Sequence, residues 1–189
     1  MTESELLKDC LVRLNRLGVG YMVTGSMASN FWGIPRSTHD LDFVIQLPPT
    51  AVERVVAEFS TEYFVDENSI RAAYRPPHQF NALDRRSALK VDFWMPSGSP
   101  FEREMFLRRR QLPMLGEAAW VATAEDIILH KLFWNRITPS DRQLADVAGV
   151  WLVQKTNLDL NYLRHWAVDL GIQETLQAVL DGEIKPKHT

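Results

Sequence analysis

The hydrophobic positions at the beginning of the chain change from a helical period to short apolar runs. Residues 6–17 carry apolar side chains at helical spacing, behind a capping box formed by Thr2 and Glu5, and this pattern predicts a first helix. Residues 21–23 form a short apolar strand, and a second helix follows over residues 27–32. The order helix, strand, tight turn, helix is therefore predicted.

Two further strands are predicted where apolar runs contain isolated charges, over residues 41–47 and 89–95. Other elements are predicted around them: a helix over residues 50–59, a charged helix over residues 100–109 and a hairpin over residues 112–121. Residues 70–86 contain two adjacent prolines and many polar side chains, and their pattern predicts no single element.

From Thr123 onward the apolar residues follow a helical period, and three or more helices are predicted. Strands are thus confined to the first part of the chain. The sequence predicts an α+β fold: a small mixed β-sheet core flanked by helices over residues 1–118, and a C-terminal helical bundle over residues 119–189 that packs on it.

The composition is that of a globular protein and excludes several classes. The net charge of −3 argues against a surface that binds nucleic acid over its whole area and leaves a local basic groove open. The longest apolar run, residues 147–153, is far shorter than the ~20 residues of a membrane helix. The single cysteine excludes an intrachain disulfide, and the first 20 residues lack the pattern of a signal peptide. A cytoplasmic protein with no membrane partner is predicted.

Three aspartates interrupt the predicted strands. Asp40 and Asp42 alternate along one strand, so their side chains are expected on one face with Cα atoms roughly 6.6 Å apart. Asp92 interrupts a second strand, and the three carboxylates converge if the two strands are neighbours. Like charges this close repel one another unless a cation neutralises them. Oxygen ligands suit Mg²⁺, and a pair of Mg²⁺ ions can support in-line displacement at a phosphoryl group. The alternative is that each is a solvated aspartate at a strand end.

A tight turn upstream of these carboxylates is suited to phosphate. Gly25 and Ser26 follow a predicted strand and open a predicted helix, where backbone amides and the helix dipole favour an anion. The glycine lets a ligand approach the backbone, and the Ser26 hydroxyl can donate to a phosphate oxygen. The alternative is an ordinary turn and helix cap.

The ordered combination of these pieces resembles the nucleotidyltransferase superfamily that includes DNA polymerase beta. The pieces are Gly25-Ser26, Asp40-Leu41-Asp42 and Asp92. The segment from Arg36 to Asp42 is similar to the Arg-x-Thr-x-Asp-x-Asp pattern of the AbiEii-type toxin branch and related small bacterial nucleotidyltransferases. Residues 122–146 resemble the helical segment of that branch, so the resemblance runs from about residue 23 to residue 153.

The resemblance implies a catalytic centre with two Mg²⁺ ions, for which Mn²⁺ can substitute. Asp40 and Asp42 would bind both ions, and Asp92 would bind the ion nearer the acceptor and help to deprotonate it. These three aspartates are accordingly the implied catalytic and metal-binding residues.

The resemblance also implies a nucleotide site. Gly25 and Ser26 would hold the triphosphate, and Lys131 would reach the phosphates, its alternative being a solvated lysine on an amphipathic helix. Arg36 would touch phosphate or pair with a nearby aspartate.

Two further residues would support this site. Asp141 would orient Lys131 or Arg136 from one helix away, or it would cap the helix that begins after Pro139. Arg136 is included because the same helical segment of the related branch repeats a lysine, an arginine and an aspartate.

The predicted function is transfer of an NMP unit from ATP or another NTP to an acceptor hydroxyl, with release of pyrophosphate. The acceptor is an RNA end, a protein side chain or a small molecule such as an aminoglycoside. The AbiEii-type pattern favours a toxin–antitoxin or phage-defence component with a cognate toxin or antitoxin as partner. The alternatives are an inactive nucleotide-binding or protein-interaction module on the same fold, an antitoxin that nucleotidylates a partner toxin, and a metal-dependent hydrolase.

Overall fold

The computed structural model describes residues 1–186 and divides into two compact units. The first unit combines Met1–Thr24 with Thr38–Val121, and the second combines Gly25–Ser37 with the chain from Ala122 onward. The predicted division into residues 1–118 and 119–189 stays a prediction; the last strand of the sheet ends at Val121. Residues 187–189 of the predicted helical region lie outside the described part.

The helices begin and end as follows: α1 (Glu3–Leu17), α2 (Gly25–Trp32), α3 (Val52–Phe59, after a 3-10 turn at Pro49–Ala51), α4 (Glu67–Ala72), α5 (Pro100–Arg108), α6 (Ala124–Ile137), α7 (Asp141–Gln154), α8 (Leu160–Leu170) and α9 (Gln173–Leu180). The strands are β1 (Gly20–Val23), β2 (Leu41–Gln46), β3 (Tyr63–Phe64), β4 (Gln79–Asp84), β5 (Lys90–Trp94), β6 (Arg110–Met114) and β7 (Glu117–Val121). Over the described residues 1–186, no helix combines the length and the apolar character needed to cross a bilayer.

The strands of the first unit form one mixed sheet in the order β3-β4-β5-β2-β1-β7-β6. The pairs β2–β5 and β1–β7 are parallel, and the other neighbouring strands are antiparallel. Helices of the same unit flank this sheet, and the helices α6 to α9 of the second unit follow it in sequence. The predicted α+β class, with a mixed sheet followed by a helical region, is confirmed.

Side chains alternate across the sheet, and this alternation separates its core from its polar residues. Phe43 of β2 and Phe93 of β5 are buried and stack with their ring centroids 5.6 Å apart. Phe59 of α3 contacts Phe93 edge to face at 5.8 Å. Each buried aromatic ring contributes roughly 1.5–3 kcal/mol of stability. Because Phe43 and Phe93 point into the core, the neighbouring Asp42 and Asp92 point to the opposite face, hereafter the polar face.

The segment 70–86, for which no element was predicted, contains the end of α4 and the whole of β4. In α4 Ile70 is the one side chain that is buried, so no helical stripe of apolar residues marks it. In β4 the buried positions alternate but end in Asp84, whose carboxylate accepts hydrogen bonds from Arg86 and Ser87. A buried, paired aspartate does not show as an apolar position, and the alternation was therefore missed.

In the second unit, α2 packs closely against α7 at two glycines. A Cβ atom on Gly33 would lie 2.7 Å from the backbone nitrogen of Val150, and one on Gly149 would lie 3.3 Å from the nitrogen of Ile34. The indole nitrogen of Trp32 donates to the carbonyl of Ala122 at 2.7 Å. These contacts explain why residues 25–37 group with the C-terminal helices rather than with the sheet.

Gly33→Ala is expected to lower the free energy of unfolding of the protein by about 1–3 kcal/mol, because the added methyl group has no room beside the α7 backbone. Gly149→Ala is the matched control. Its methyl contact is looser, and the gain in helix propensity of up to about 1 kcal/mol offsets the crowding. Urea denaturation of both variants tests this, and an equal loss in both would contradict it.

Candidate active site

The two strand aspartates lie directly opposite one another on neighbouring parallel strands. Asp42 of β2 is the register partner of Asp92 of β5, so their Cα atoms are about 4.8 Å apart. The side-chain oxygen Oδ1 of Asp42 accepts a hydrogen bond from the indole nitrogen of Trp94 at 3.2 Å. The expectation that the two strands are neighbours and bring these carboxylates together is confirmed.

Asp40 is placed differently from the expectation that it alternates with Asp42 on one strand. The first residue of β2 is Leu41, which pairs with Val91, so Asp40 precedes the ladder and is exposed. Its backbone nitrogen donates to the hydroxyl of Thr38 at 3.2 Å. Asp40 thus stands at the solvent edge of the pair formed by Asp42 and Asp92.

A lysine lies among these carboxylates. The ammonium group of Lys90 is 2.8 Å from Oδ2 of Asp92, two residues further along β5. This hydrogen bond raises the pKa of Lys90 above its ordinary value; burial opposes the rise, and the charges of Asp92, Asp42 and Asp40 add to it. Lys90 therefore offsets part of the negative charge of the pair formed by Asp42 and Asp92.

The donor set fits Mg²⁺. The oxygen Oδ1 of Asp92 is buried and has no hydrogen-bond partner among the described residues, so it can take a ligand that the protein does not supply. No group of three or more His, Cys, Asp or Glu side chains in residues 1–186 is placed to hold a metal ion, so Asp40 does not join Asp42 and Asp92 in such a group, although the two strands are neighbours. Mg²⁺ does not need three protein ligands, because it usually binds one or two carboxylates together with waters and substrate phosphates.

The turn after β1 has the geometry expected for an approach of phosphate. Gly25 has a φ of 60°, a left-handed conformation that glycine adopts without strain, and α2 begins there. The hydroxyl oxygen of the buried Ser26 accepts a hydrogen bond from the guanidinium of Arg36 at 2.9 Å. Since that oxygen is the acceptor, the hydroxyl proton can be donated to another group.

Arg36 and Lys131 converge on a single carboxylate in the second unit. Arg36 donates two hydrogen bonds to Asp146, from Nε to Oδ1 at 2.7 Å and from Nη2 to Oδ2 at 2.8 Å. The ammonium group of Lys131 contacts Oδ2 of Asp146 at 2.9 Å. The alternative that Arg36 pairs with an aspartate is confirmed. Lys131 is buried, not solvated, because it lies against this carboxylate.

Asp146, which the sequence analysis gave only as the end of the resembling segment 122–146, is the carboxylate that joins Arg36 and Lys131. The two cations outnumber the one anion, so the group formed by Arg36, Lys131 and Asp146 carries a net positive charge. Burial raises the pKa of Asp146, but the hydrogen bonds from Arg36 and the charge of Lys131 outweigh burial and hold that pKa below its ordinary value of 3.8. The sequence pattern could have indicated this residue. Asp146 directly precedes the buried run 147–150 of α7, in the same way that Asp92 lies within an apolar strand.

This lowered pKa predicts a pH dependence of stability. The ionised form of Asp146 stabilises the fold in full above its unfolded-state pKa of about 3.9, and that stabilisation is lost as the pH falls through the lower pKa of the folded state. The difference in free energy of unfolding between wild type and Asp146→Asn is therefore expected to be constant from about pH 5 to 7 and to shrink below about pH 4. Urea titrations across this range measure it, and a difference that is as large at pH 2.5, well below about 3.9, as at pH 7 would contradict it.

The two residues predicted to support Lys131 have other contacts. Arg136 donates from Nη1 to the carbonyl of Leu170 at the C-terminal end of α8, and a Cβ on Gly171 would collide with the same guanidinium. Asp141 is exposed in the first turn of α7, whose capping side chain is that of Ser140. Its predicted role as an orienting residue stays a prediction, whereas Asp146 contacts Lys131 directly.

Comparisons with known proteins show which fold the chain shares with solved structures. No family model and no curated protein matches the chain. Among solved structures, it is similar to an antigenic nucleotidyltransferase-like protein from Paracoccidioides brasiliensis at 14% identity and a TM-score of 0.60, covering 98% of this chain and 94% of that one. It is also similar to the antibiotic-resistance factor ANT(2'')-Ia in solution, at 11% identity and a TM-score of 0.59, covering 95% of each chain.

A crystal structure of ANT(2'')-Ia in complex with adenylyl-2''-tobramycin matches at 12% identity and a TM-score of 0.59, covering 90% of this chain and 98% of that one. At identities this low, the structural similarity establishes a common fold only, and the chemistry has to be argued from the residues themselves. The resemblance to the superfamily is therefore supported at the level of the fold, and the AbiEii-type branch stays a prediction. The chain has the nucleotidyltransferase-like fold.

Proposed function

We propose that this protein is a Mg²⁺-dependent nucleotidyltransferase that moves an NMP unit from an NTP to an acceptor hydroxyl and releases pyrophosphate. The observation that supports this most strongly is the pairing of Asp42 with Asp92 across parallel strands, with one buried carboxylate oxygen of Asp92 lacking a partner among the described residues. The nucleotidyltransferase-like fold also supports this chemistry.

In this proposal the carboxylates of Asp42 and Asp92 hold the metal, with Asp40 contributing from the solvent edge. Mg²⁺, with Mn²⁺ as a substitute, would supply charge neutralisation for the attacking and leaving oxygens. Asp92 also helps to accept the proton of the acceptor hydroxyl. The acceptor oxygen then bonds to the α-phosphorus, and the bond between that phosphorus and the pyrophosphate oxygen breaks.

The second unit is proposed to bind the triphosphate. The amides that follow Gly25 and the hydroxyl of Ser26 donate to phosphate oxygens. Arg36 and Lys131 supply positive charge, of which Asp146 neutralises only half. Because Asp146 holds both cations in fixed positions, little side-chain entropy remains to be lost when an anion binds.

The acceptor class to test first is a small molecule with several hydroxyl groups. The similarity to ANT(2'')-Ia extends over nearly the whole length of both chains, and one of its structures holds adenylyl-2''-tobramycin. An RNA end and a protein side chain remain the other proposed acceptors. The proposed biological setting, from the resemblance in residues 36–42, is a toxin–antitoxin or phage-defence system with a cognate partner.

The test is incubation of the protein with each α-labelled NTP and Mg²⁺ or Mn²⁺, in parallel arms that contain aminoglycosides, bulk RNA or cell protein. Label on one acceptor, lost in Asp42→Asn and retained in Asp169→Asn, is the expected result. Asp169 is an exposed aspartate of α8 and controls for the change in charge. Nucleotide binding without label on any acceptor would contradict the proposal and favour an inactive nucleotide-binding module.

A further inference from the structure

Lys90 lies beside the proposed metal site on the same strand face. It is two residues before Asp92 in β5, and the alternation of the strand places both side chains on the polar face. Its ammonium group is 2.8 Å from Oδ2 of Asp92, while its side chain remains 54% exposed. The lysine therefore reaches the carboxylates from solvent and is not fixed by the packing of the core.

The charges around Lys90 are those that a divalent cation would meet. The ammonium group is ion-paired to Asp92, and Asp42 is the register partner of Asp92 on the neighbouring strand. The face of β4 that adjoins β5 places Leu83 opposite Lys90 and Asn81 opposite Asp92, neither of which is charged. One positive charge thus faces the two negative charges of Asp92 and Asp42 at this position of the sheet.

We propose that Lys90 is an internal counter-ion that competes with the divalent cation for the carboxylates of Asp92 and Asp42. Before the cation binds, the ammonium group occupies the position of positive charge and reduces the repulsion among the carboxylates. When the cation binds, Lys90 moves into solvent. This inference rests on the proposed function, because it concerns the regulation of the same metal site.

The exposure of Lys90 makes such an exchange feasible. An ion pair that is open to solvent contributes little net stability, so a divalent cation with twice the charge displaces the ammonium at small cost. The lysine stays close after displacement and continues to repel a cation that has no other negative partner. Nucleotide phosphates would add negative charge and offset that repulsion, so Lys90 would couple metal binding to nucleotide binding.

The experiment measures Mn²⁺ binding by electron paramagnetic resonance, in the absence of nucleotide, to the full chain. Lys90→Gln is expected to bind Mn²⁺ about three- to tenfold more tightly than wild type, because one nearby positive charge is removed. Lys90→Arg keeps the charge and is expected to bind as wild type does. Lys8→Gln is the matched control, since Lys8 is half-exposed and ion-paired to Glu117 of β7.

A second readout is the increase in melting temperature when MgCl₂ replaces EDTA. It is expected to be larger in Lys90→Gln than in wild type, in accordance with the tighter binding. Adding Asp92→Asn to Lys90→Gln is expected to remove the gain, which locates the effect at this cluster. Equal or weaker Mn²⁺ affinity in Lys90→Gln, an equal gain in Lys8→Gln, or no Mn²⁺ binding to either protein would overturn the proposal.

The outcome separates this inference from the proposed function. Tighter Mn²⁺ binding in Lys90→Gln, together with no nucleotidyl transfer by wild type to any acceptor, supports the counter-ion and contradicts the function. Nucleotidyl transfer by wild type, together with unchanged Mn²⁺ affinity in Lys90→Gln, supports the function and overturns the counter-ion.

Discussion

Asp92→Asn is expected to reduce the rate of nucleotidyl transfer by about 10³-fold while leaving the protein folded. The amide of asparagine carries no negative charge for a cation and accepts no proton from an acceptor hydroxyl. The oxygen Oδ1 of Asp92 has no hydrogen-bond partner among the described residues, so its replacement breaks no internal contact at that atom. The loss of rate is therefore expected to come from the missing metal ligand and proton acceptor and not from unfolding of the protein.

The melting temperature of Asp92→Asn distinguishes a role of Asp92 in catalysis from a role in stability. Removing one of three neighbouring carboxylates lessens their repulsion, and the ion pair that is lost involves the half-exposed Lys90. In EDTA, Asp92→Asn is accordingly expected to melt at the same temperature as wild type or at a higher one. If Asp92 served only to pair with Lys90, the variant would keep its activity.

The measurement is the initial rate of label transfer with each variant, alongside thermal unfolding in EDTA. Asn81→Ala is the matched control, because Asn81 of β4 is the register partner of Asp92 and lies on the same polar face. It is expected to keep most of the activity. Retention of more than about a tenth of the wild-type rate by Asp92→Asn would be incompatible with the proposed role, for which a loss of 10²–10⁴ is usual.

Asp146→Asn is expected to lower the free energy of unfolding by about 3–5 kcal/mol, the cost of breaking a buried ion pair by removing one partner. The side chains of Asp146 and Lys131 are 5% and 7% exposed, and that of Arg36 is 17% exposed. Without the carboxylate, two positive charges remain together with little water to screen them. The loss is expected at neutral pH, where Asp146 is ionised.

The charges of Arg36, Lys131 and Asp146 predict the order of stability of further variants. Lys131→Met leaves Asp146 with its two hydrogen bonds from Arg36, so it is expected to cost less than Asp146→Asn. The double variant Asp146→Asn, Lys131→Met removes one of the two unpaired cations and is expected to be more stable than Asp146→Asn alone. Such non-additivity is the mark of residues in direct contact. Urea denaturation of the three variants tests it, and strictly additive losses would contradict the shared role of Asp146.

The sequence was sufficient to predict the face that each strand aspartate takes, because strand alternation is local. Asp42 alternates with Phe43, and Asp92 with Phe93, so each aspartate lies on the face opposite the buried ring. That the two strands are neighbours was only a condition at that point, because their pairing is a long-range contact. The position of Asp40 outside the ladder could not be predicted, since the first paired residue depends on where the partner strand begins.

The contact between Arg36 and Asp146 was missed because the two residues are distant in sequence, whereas Lys131 is only 15 residues from Asp146. Arg36 and Asp146 are 110 residues apart, and nothing in the local pattern of either segment specifies that α2 packs on α7. The close approach depends on Gly33 and Gly149, whose lack of side chains becomes informative once the helices are seen together. Local periodicity therefore predicted the helices but not the contact between them.

The second unit is assembled from two stretches of chain separated by the strands, and this order has a consequence for synthesis. Residues up to 121 contain everything that the first unit needs, so it can fold on the ribosome while α2 still lacks its partners. The bond between Arg36 and Asp146 closes a loop of more than a hundred residues and must form late. A nascent chain would form its carboxylate pair early and would lack the contacts of Arg36 and Lys131 with Asp146 until α7 emerged.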